Sequence, residues 1–148
     1  MKIPTRVELG VVVLADIAYN TENGGTVTSV GIAERQNISQ KYLEQIILGL
    51  RQGGFVRSTK GSRGGYQLSR PASRIFLSEI LNALDNSILA DTYTAGEESS
   101  EIRESVNVCV WEKLNGYLRD FTGQLSLADL TKAYKDNYIE NREPMYYI

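Results

Sequence analysis

Residues 39–68 read SQKYLEQIILGLRQGGFVRSTKGSRGGYQL, and this stretch decides the fold class. Its first part carries apolar residues at i, i+3, i+4 and i+7, which predicts a helix with one apolar face. Those positions are Leu43, Ile46, Ile47 and Leu50. Ser39 is a typical N-cap and Gly53-Gly54 a typical helix end. Two strand-like segments, Phe55–Ser58 and Tyr66–Leu68, flank a glycine-rich turn, so we expect a β-hairpin next.

Two further helices are expected before this stretch. The spacing of apolar residues predicts a first helix to Tyr19, with Thr5 as its N-cap. Thr28 is positioned to cap a short second helix that ends near Gln36. The resulting order of helix, short helix, tight turn, helix and basic hairpin is that of a winged helix-turn-helix.

The segment after Pro71 is also expected to be mainly helical. Residues Leu77 to Leu84 predict a short helix, and residues 85–100 are polar and predict a long loop. A longer helix is expected from Glu101 to Phe121, ending before Thr122-Gly123. Ser126 and Asp129 form the pattern of a capping box for a last helix to about Lys135.

The fold class predicted is therefore mainly α with a small β-hairpin wing, a winged helix-turn-helix joined to a long dimerisation helix. We assign residues 1–70 to a DNA-binding domain. Residues 71–148 are assigned to a linker helix, a loop, the dimerisation helix and a C-terminal tail. The longest clean apolar run, Val11 to Ala15, is far shorter than a membrane span. The first residues lack the apolar region of a signal peptide, so we expect a cytoplasmic protein with no membrane contact.

Charge is unevenly distributed along the 148 residues. The formal net charge is −2, yet residues 1–70 carry nine basic and five acidic residues, which gives +4. Residues 71–148 carry seven basic and thirteen acidic residues, which gives −6. A basic half joined to an acidic half indicates that the first half meets a polyanion.

The sequence contains no histidine and a single cysteine, Cys109. A Ser-His-Asp or Cys-His relay and a His-based zinc site are therefore excluded, and nothing in the sequence marks another catalytic site. One cysteine cannot supply the ligands of a structural zinc or an iron–sulfur cluster. We expect neither enzyme activity nor a cofactor.

Polar residues of the third helix and the wing are the expected DNA contacts. A helix fits the major groove, where Gln can bond adenine and Glu can accept from the cytosine amino group. Basic residues at the wing tip can reach the backbone or a minor groove, and neighbouring glycines allow close approach. The predicted DNA-binding residues are Ser39, Gln40, Lys41, Tyr42, Glu44, Gln45, Arg51, Lys60 and Arg63.

The long helix carries an apolar stripe that predicts a homodimer, because such a stripe is too apolar to leave in water. The predicted dimerisation residues are Ile102, Val106, Val110, Leu114, Tyr117, Leu118 and Phe121. Cys109 lies in the same helix. We interpret it as a small buried residue, with a redox sensor as the alternative.

Three segments, 39–45, 50–56 and 60–66, resemble one bacterial family. That family includes the cluster regulator IscR, the nitric-oxide sensor NsrR and the cysteine-metabolism repressor CymR, and the similarity covers most of the chain. The resemblance implies dimeric winged-helix repressors that bind roughly palindromic operators. It places Glu44 and Gln45 at the base-reading positions and Lys60 where many members have a minor-groove arginine. Lys41 replaces a smaller residue common there, so base preference is expected to differ.

Cluster-binding members carry three cysteines before the long helix. Here residues 92–105 contain none, and alignment on Trp111 puts the third cysteine at Ser105 and the fourth ligand at Val108. The remaining resemblance is to the CymR-like branch, which has a similar aromatic tail. It implies that Tyr146, Tyr147 and Ile148 bind cysteine synthase, in competition with O-acetylserine.

The function predicted is a homodimeric repressor of cysteine or sulfur genes that binds an operator in double-stranded DNA. Two alternatives stay open. One is a protein-interaction module with a reduced DNA-binding face, and the other is a regulator that senses redox state through Cys109.

Overall fold

The computed structural model describes residues 1–62, 64–92, 96 and 99–142. The winged helix-turn-helix is confirmed within them. Helices α1 (Thr5–Asn20), α2 (Ser29–Gln36) and α3 (Gln40–Gln52) precede the strands. Strands β1 (Val56–Thr59) and β2 (Gly65–Leu68) pair antiparallel, with Arg57 opposite Gln67.

Local capping explains where these helices begin. The Thr28 hydroxyl accepts a hydrogen bond from the Gly31 N–H at 3.0 Å, and the Ser39 hydroxyl accepts from the Tyr42 N–H at 3.2 Å. Both caps agree with the prediction. The predicted cap at Thr5 is wrong: Pro4 takes the cap position and its carbonyl accepts from the Val7 N–H at 2.9 Å. The chain turns out of α3 at Gly54, whose φ of 80° suits glycine.

The second half continues with α4 (Leu77–Leu84), which has the predicted bounds. A nearly continuous helical rod follows, made of α5 (Glu101–Val106), a π-helical turn (Asn107–Trp111) and α6 (Glu112–Gln124). Short 3-10 turns at Ala72–Arg74 and Glu140–Arg142 complete this half, together with α7 (Leu127–Tyr134) and a second π turn, Lys135–Ile139. We call residues Glu101–Gln124 the long helix.

One predicted helix end falls short of the observed one. The long helix runs through Thr122 and Gly123 to Gln124, because the Thr122 hydroxyl donates a hydrogen bond to the Leu118 carbonyl at 2.6 Å and so finds a partner within the helix. Helix α7 ends at Tyr134, one residue from the predicted end, and π and 3-10 turns continue to Arg142. The capping box of Ser126 and Asp129 is present as predicted.

A single hydrophobic core joins the two halves across residues 70 and 71. Leu84 of α4 packs against Gly10 of α1 and Gly49 of α3, and a Cβ added at Gly10 would lie 2.5 Å from a Leu84 methyl carbon. The segment before α4 also pairs with the turn before α7, where the Leu77 N–H donates to the Leu125 carbonyl at 2.9 Å. The long helix is therefore anchored directly to the winged-helix core.

No helix in the described ranges is long and apolar enough to cross a membrane.

Candidate nucleic-acid interface

Helix α3 presents one polar face to solvent and buries the other. Its four predicted apolar residues are all buried in the core. Gln40, Lys41, Glu44, Gln45 and Arg51 are exposed, as the prediction requires of residues that contact DNA. The structure thus brings these five side chains together on one surface, which we call the α3 face.

Two of the predicted contacts on α3 have structural roles. The Ser39 hydroxyl is occupied as the helix cap, and Tyr42 is half-buried against the core. Gln40 is held in place, since its Nε2 donates to the Ser29 hydroxyl at 2.8 Å and lies 3.4 Å from Glu44 Oε1. Glu44 and Gln45, the residues expected to read bases, remain on the open side of the helix.

An ion pair between a partly exposed arginine of α2 and a buried aspartate of α1 fixes α2 against α1 and so supports α3. Asp16 is buried and receives hydrogen bonds from Arg35 Nε at 2.9 Å, Arg35 Nη2 at 2.7 Å and Gln36 Nε2 at 2.7 Å. The hydrogen bonds from Arg35 to the Asp16 carboxylate, together with the attraction of its charge, raise the pKa of Arg35. The sequence shows an acidic residue at position 16 and a basic residue at position 35, but their spacing of 19 residues does not predict that they form a pair.

The wing follows directly from α3. Lys60 is exposed just beyond β1, and Gly61 adopts a φ of 113° that favours glycine. The Gly64 N–H donates to the Gly61 carbonyl at 2.9 Å and closes the turn. Arg63, the other predicted wing contact, lies outside the described residues.

Sequence reasoning missed Arg57 and Gln67, which lie opposite each other on the two strands. Arg57 Nε and Nη2 both donate to Gln67 Oε1, at 3.0 and 2.5 Å. Arg57 also lines a groove of about 550 Å³ between α3 and β1. The available signal was the position of Arg57 directly after the apolar Val56, because successive side chains of a strand point to opposite faces.

The long helix has an outer apolar face in the single chain. Six of the seven predicted dimerisation residues are exposed: Ile102, Val106, Val110, Leu114, Tyr117 and Phe121. We call these six residues the outer stripe. Leu118 instead is half-buried, and together with Phe121 it lines an apolar groove of about 320 Å³ against α1 and α4.

The π turn keeps the outer stripe on one side of the helix. In a regular α-helix of 3.6 residues per turn, eight residues from Val106 to Leu114 overshoot two full turns by about 80°. The π turn at Asn107–Trp111 accommodates one extra residue and removes most of that offset. Val106, Val110 and Leu114 can therefore face one partner surface together.

Cys109 lies in the π turn and is exposed. The interpretation of Cys109 as a buried residue is therefore wrong for the single chain, because the π turn directs it away from the inner side where Asn107 is buried. The tail residues Tyr146, Tyr147 and Ile148 lie outside the described residues.

Comparison with known proteins gives a consistent assignment. Residues 3–133 match the family model described as Rrf2, iron-dependent transcriptional regulator. The transcriptional regulator IscR of Cereibacter sphaeroides is 35% identical over 136 residues, covering 89% of this chain and 88% of the relative. IscR of Escherichia coli is 32% identical over 130 residues, covering 88% of this chain and 80% of the relative.

Solved structures agree with these relatives. CymR, the global cysteine regulator of B. subtilis, superposes with a TM-score of 0.76 at 25% identity, covering 90% of this chain and 98% of CymR. IscR of T. potens superposes with a TM-score of 0.75 at 30% identity, covering 93% and 91%. Because the two scores are nearly equal, the affiliation with the CymR-like branch stays a prediction.

The iron in the family description has no matching ligand set here. Iron–sulfur clusters are held mainly by cysteine thiolates, and the whole sequence has one cysteine and no histidine. Within residues 1–62, 64–92, 96 and 99–142, no three His, Cys, Asp or Glu side chains lie together where they could hold a metal ion. The residues present do not fit a cluster of this kind.

The matched relatives are transcriptional regulators rather than enzymes, in agreement with the prediction. The winged helix-turn-helix, the polar α3 face and the match across residues 3–133 lead to one assignment. The chain belongs to the Rrf2 family of transcriptional regulators.

Proposed function

We propose that this regulator is a homodimeric repressor that binds a roughly palindromic operator without a cluster of its own. The observation that carries the proposal is the α3 face beside the basic wing. In this mode α3 enters the major groove, where Glu44 and Gln45 contact bases and Lys41 and Arg51 approach phosphates. Lys60 and Arg63 reach the adjacent minor groove or its backbone.

The outer stripe supports the dimer part of the proposal. Six large apolar side chains on one helix form the kind of patch that monomeric proteins rarely expose. A two-fold axis through the long helices would bury this stripe and hold two α3 helices at a fixed separation. Residues 1–70 then contact the operator, and residues 71–148 set the distance between the two α3 helices.

Selection from random double-stranded DNA with the purified protein tests this function. We expect enrichment of two inverted half-sites whose centres are one helical turn or a multiple apart. We also expect affinity for the selected operator to fall steeply with salt. Failure to enrich any motif would favour the alternative of a protein-interaction module with a reduced DNA-binding face.

The regulated genes are proposed to be those of cysteine or sulfur metabolism. Support comes from the likeness to the global cysteine regulator CymR and from the missing cluster ligands. In this proposal Tyr146, Tyr147 and Ile148 dock into cysteine synthase and O-acetylserine competes for the site. Calorimetry with the synthase should show heat for the full chain and none after deletion of the three residues, whereas equal heats would contradict tail docking.

A second candidate is a regulator that senses redox state through Cys109, which is exposed in the single chain beside Val106 and Val110 of the outer stripe. Peroxide treatment would then lower operator affinity in the unaltered protein and leave Cys109→Ser unchanged. Equal sensitivity in both proteins would remove this candidate.

A further inference from the structure

The space between α3 and the wing is a basic groove. Leu48, Arg51 and Gln52 line it from α3, and Val56, Arg57 and Ser58 line it from the start of the wing. Two of these six residues are arginines, and none of the six is acidic. We call this space the α3–wing trough.

Duplex DNA has one sugar–phosphate strand between each major groove and the neighbouring minor groove. If α3 occupies the major groove and Lys60 the minor groove, that strand must cross the protein between them. The trough occupies this position, because α3 forms one wall and β1, which leads to Lys60, forms the other. A phosphodiester is therefore the ligand that the trough would meet.

Arg57 lines the trough and is held in place by Gln67. Two of its N–H groups are held by Gln67 Oε1, at 3.0 and 2.5 Å, and three N–H groups remain for an incoming oxygen. A side chain held in place before binding loses less conformational freedom when the ligand arrives. Gln67 thus fixes the direction of the guanidinium without using up its hydrogen-bonding capacity.

Gln67 is a neutral partner for Arg57, and this neutrality matters as much as its position. Arg35, Arg70 and Arg119 are each paired with a carboxylate, on Asp16, Glu79 and Asp91. Those pairs cancel the arginine charge. Gln67 is neutral, so Arg57 is held in place with its positive charge uncompensated by its partner.

From these observations we propose that the α3–wing trough binds a backbone phosphate of the strand between the two grooves. Arg57 and Arg51 are the charged donors, and Gln67 is the positioning residue for Arg57. The proposal rests on the proposed mode of DNA binding and adds a contact to it that depends on charge and not on base sequence.

The test measures operator affinity against salt for the full-length protein, Arg57→Ala and the control Arg74→Ala, which removes an equal charge from the exposed 3-10 turn after the wing. We expect Arg57→Ala to weaken binding about tenfold to a hundredfold, the range for a hydrogen bond to a charged group. The salt slope should fall by about one unit, equally for operator and random DNA. Arg74→Ala should keep the original slope.

Gln67 variants separate position from charge. Gln67→Ala should weaken binding and keep the salt slope, because Arg57 stays charged but is no longer held. Gln67→Glu keeps the hydrogen bonds but cancels the charge, so it should lower the slope as Arg57→Ala does. Thermal unfolding and circular dichroism of each variant check that the hairpin is intact, because loss of the hairpin would also remove the Lys60 contact and lower the salt slope.

Operators with single methylphosphonates identify the phosphate itself. One neutral substitution per half-site should weaken the unaltered protein and leave Arg57→Ala unaffected, which shows that the residue and the phosphate act as a pair. Two results would contradict a phosphate contact in the trough while leaving the proposed function intact. One is identical salt slopes for Arg57→Ala and Arg74→Ala. The other is equal sensitivity of the unaltered protein and Arg57→Ala to every methylphosphonate. Absence of salt-dependent DNA binding in the unaltered protein would overturn both the phosphate contact and the proposed function.

Discussion

Helix α3 and the long helix are both amphipathic, yet their apolar sides have opposite environments. In α3 the residues Leu43, Ile46, Ile47 and Leu50 are at most 2% exposed, and polar residues face solvent. In the long helix the apolar residues face outwards, with Ile102 79% and Phe121 60% exposed. The apolar side of α3 is thus covered by its own chain, whereas that of the long helix is exposed in the single chain, which is the basis of the proposed dimer.

Leu114→Lys tests the proposed homodimer. If the outer stripe is the dimer interface, a lysine there would bury an unpaired charge, so we expect the dimer to dissociate. Loss of linked half-site binding should lower operator affinity by about 10²–10⁴-fold. Light scattering and operator titration measure the two effects.

Gln124→Lys is the matched control for this experiment, since it adds one positive charge at an exposed polar position of α6. It should remain dimeric. An intact dimer in Leu114→Lys would place the stripe outside the interface and remove the contrast between the two helices.

Arg35→Ala tests the packing around α3, which is formed within one chain. It leaves the buried Asp16 carboxylate with Gln36 alone, at a cost of about 3–5 kcal/mol for a fully buried pair. Since the Arg35 side chain is 40% exposed, we expect solvent screening to reduce the loss of unfolding free energy to about 2–3 kcal/mol. Urea denaturation measures it.

Arg119→Ala provides the comparison, because Arg119 pairs with Asp91 where both side chains are more than half exposed. Its expected cost is below about 1 kcal/mol. Equal losses of unfolding free energy for the two variants would show that the Asp16–Arg35 pair stabilises the fold no more than an exposed ion pair does.

Glu44→Ala sharpens the assignment of the α3 face. A carboxylate repels phosphates, so its value must lie in discrimination between bases, about 1–3 kcal/mol for a good base contact. The selected motif should relax at one position of each half-site while affinity for random DNA is kept or increased. An unchanged motif would contradict the role, and Glu34→Ala on α2 should leave the motif as it is.

Glu79→Gln has the smallest expected effect and tests the join between the halves. The Phe76 N–H and then Arg70 hold the pKa of Glu79 below its ordinary 4.5. A lowered folded pKa adds stability above pH 4.5 that is lost as pH falls through the folded value. The glutamine variant should therefore show a weaker decline on acidification, by less than about 1 kcal/mol because the group is exposed. Identical acid titrations of unfolding would contradict this contribution.

The order of helices, the two caps at Thr28 and Ser39 and the wing were predictable because each depends on neighbours within four residues. The π turn was missed although its signal was present, because apolar residues at every fourth position from Ile102 to Leu114 would drift by about 120° in a regular α-helix. The Asp16–Arg35 pair and the Arg57–Gln67 contact join distant positions, and only the folded chain brings them together. Thr5 was misplaced because proline and threonine are both acceptable at a helix start.

Gly10 and Gly49 have a consequence for how this regulator can change during evolution. The two glycines leave bare backbone of α1 and α3 against Leu84, and α4 leads from there towards the long helix. A methyl group at position 10 would lie 2.5 Å from a Leu84 methyl carbon, so the Leu84 side chain would have to shift to accommodate it. Inherited substitutions around Leu84 can thus alter the packing between α1, α3 and α4 without changing any residue of the α3 face.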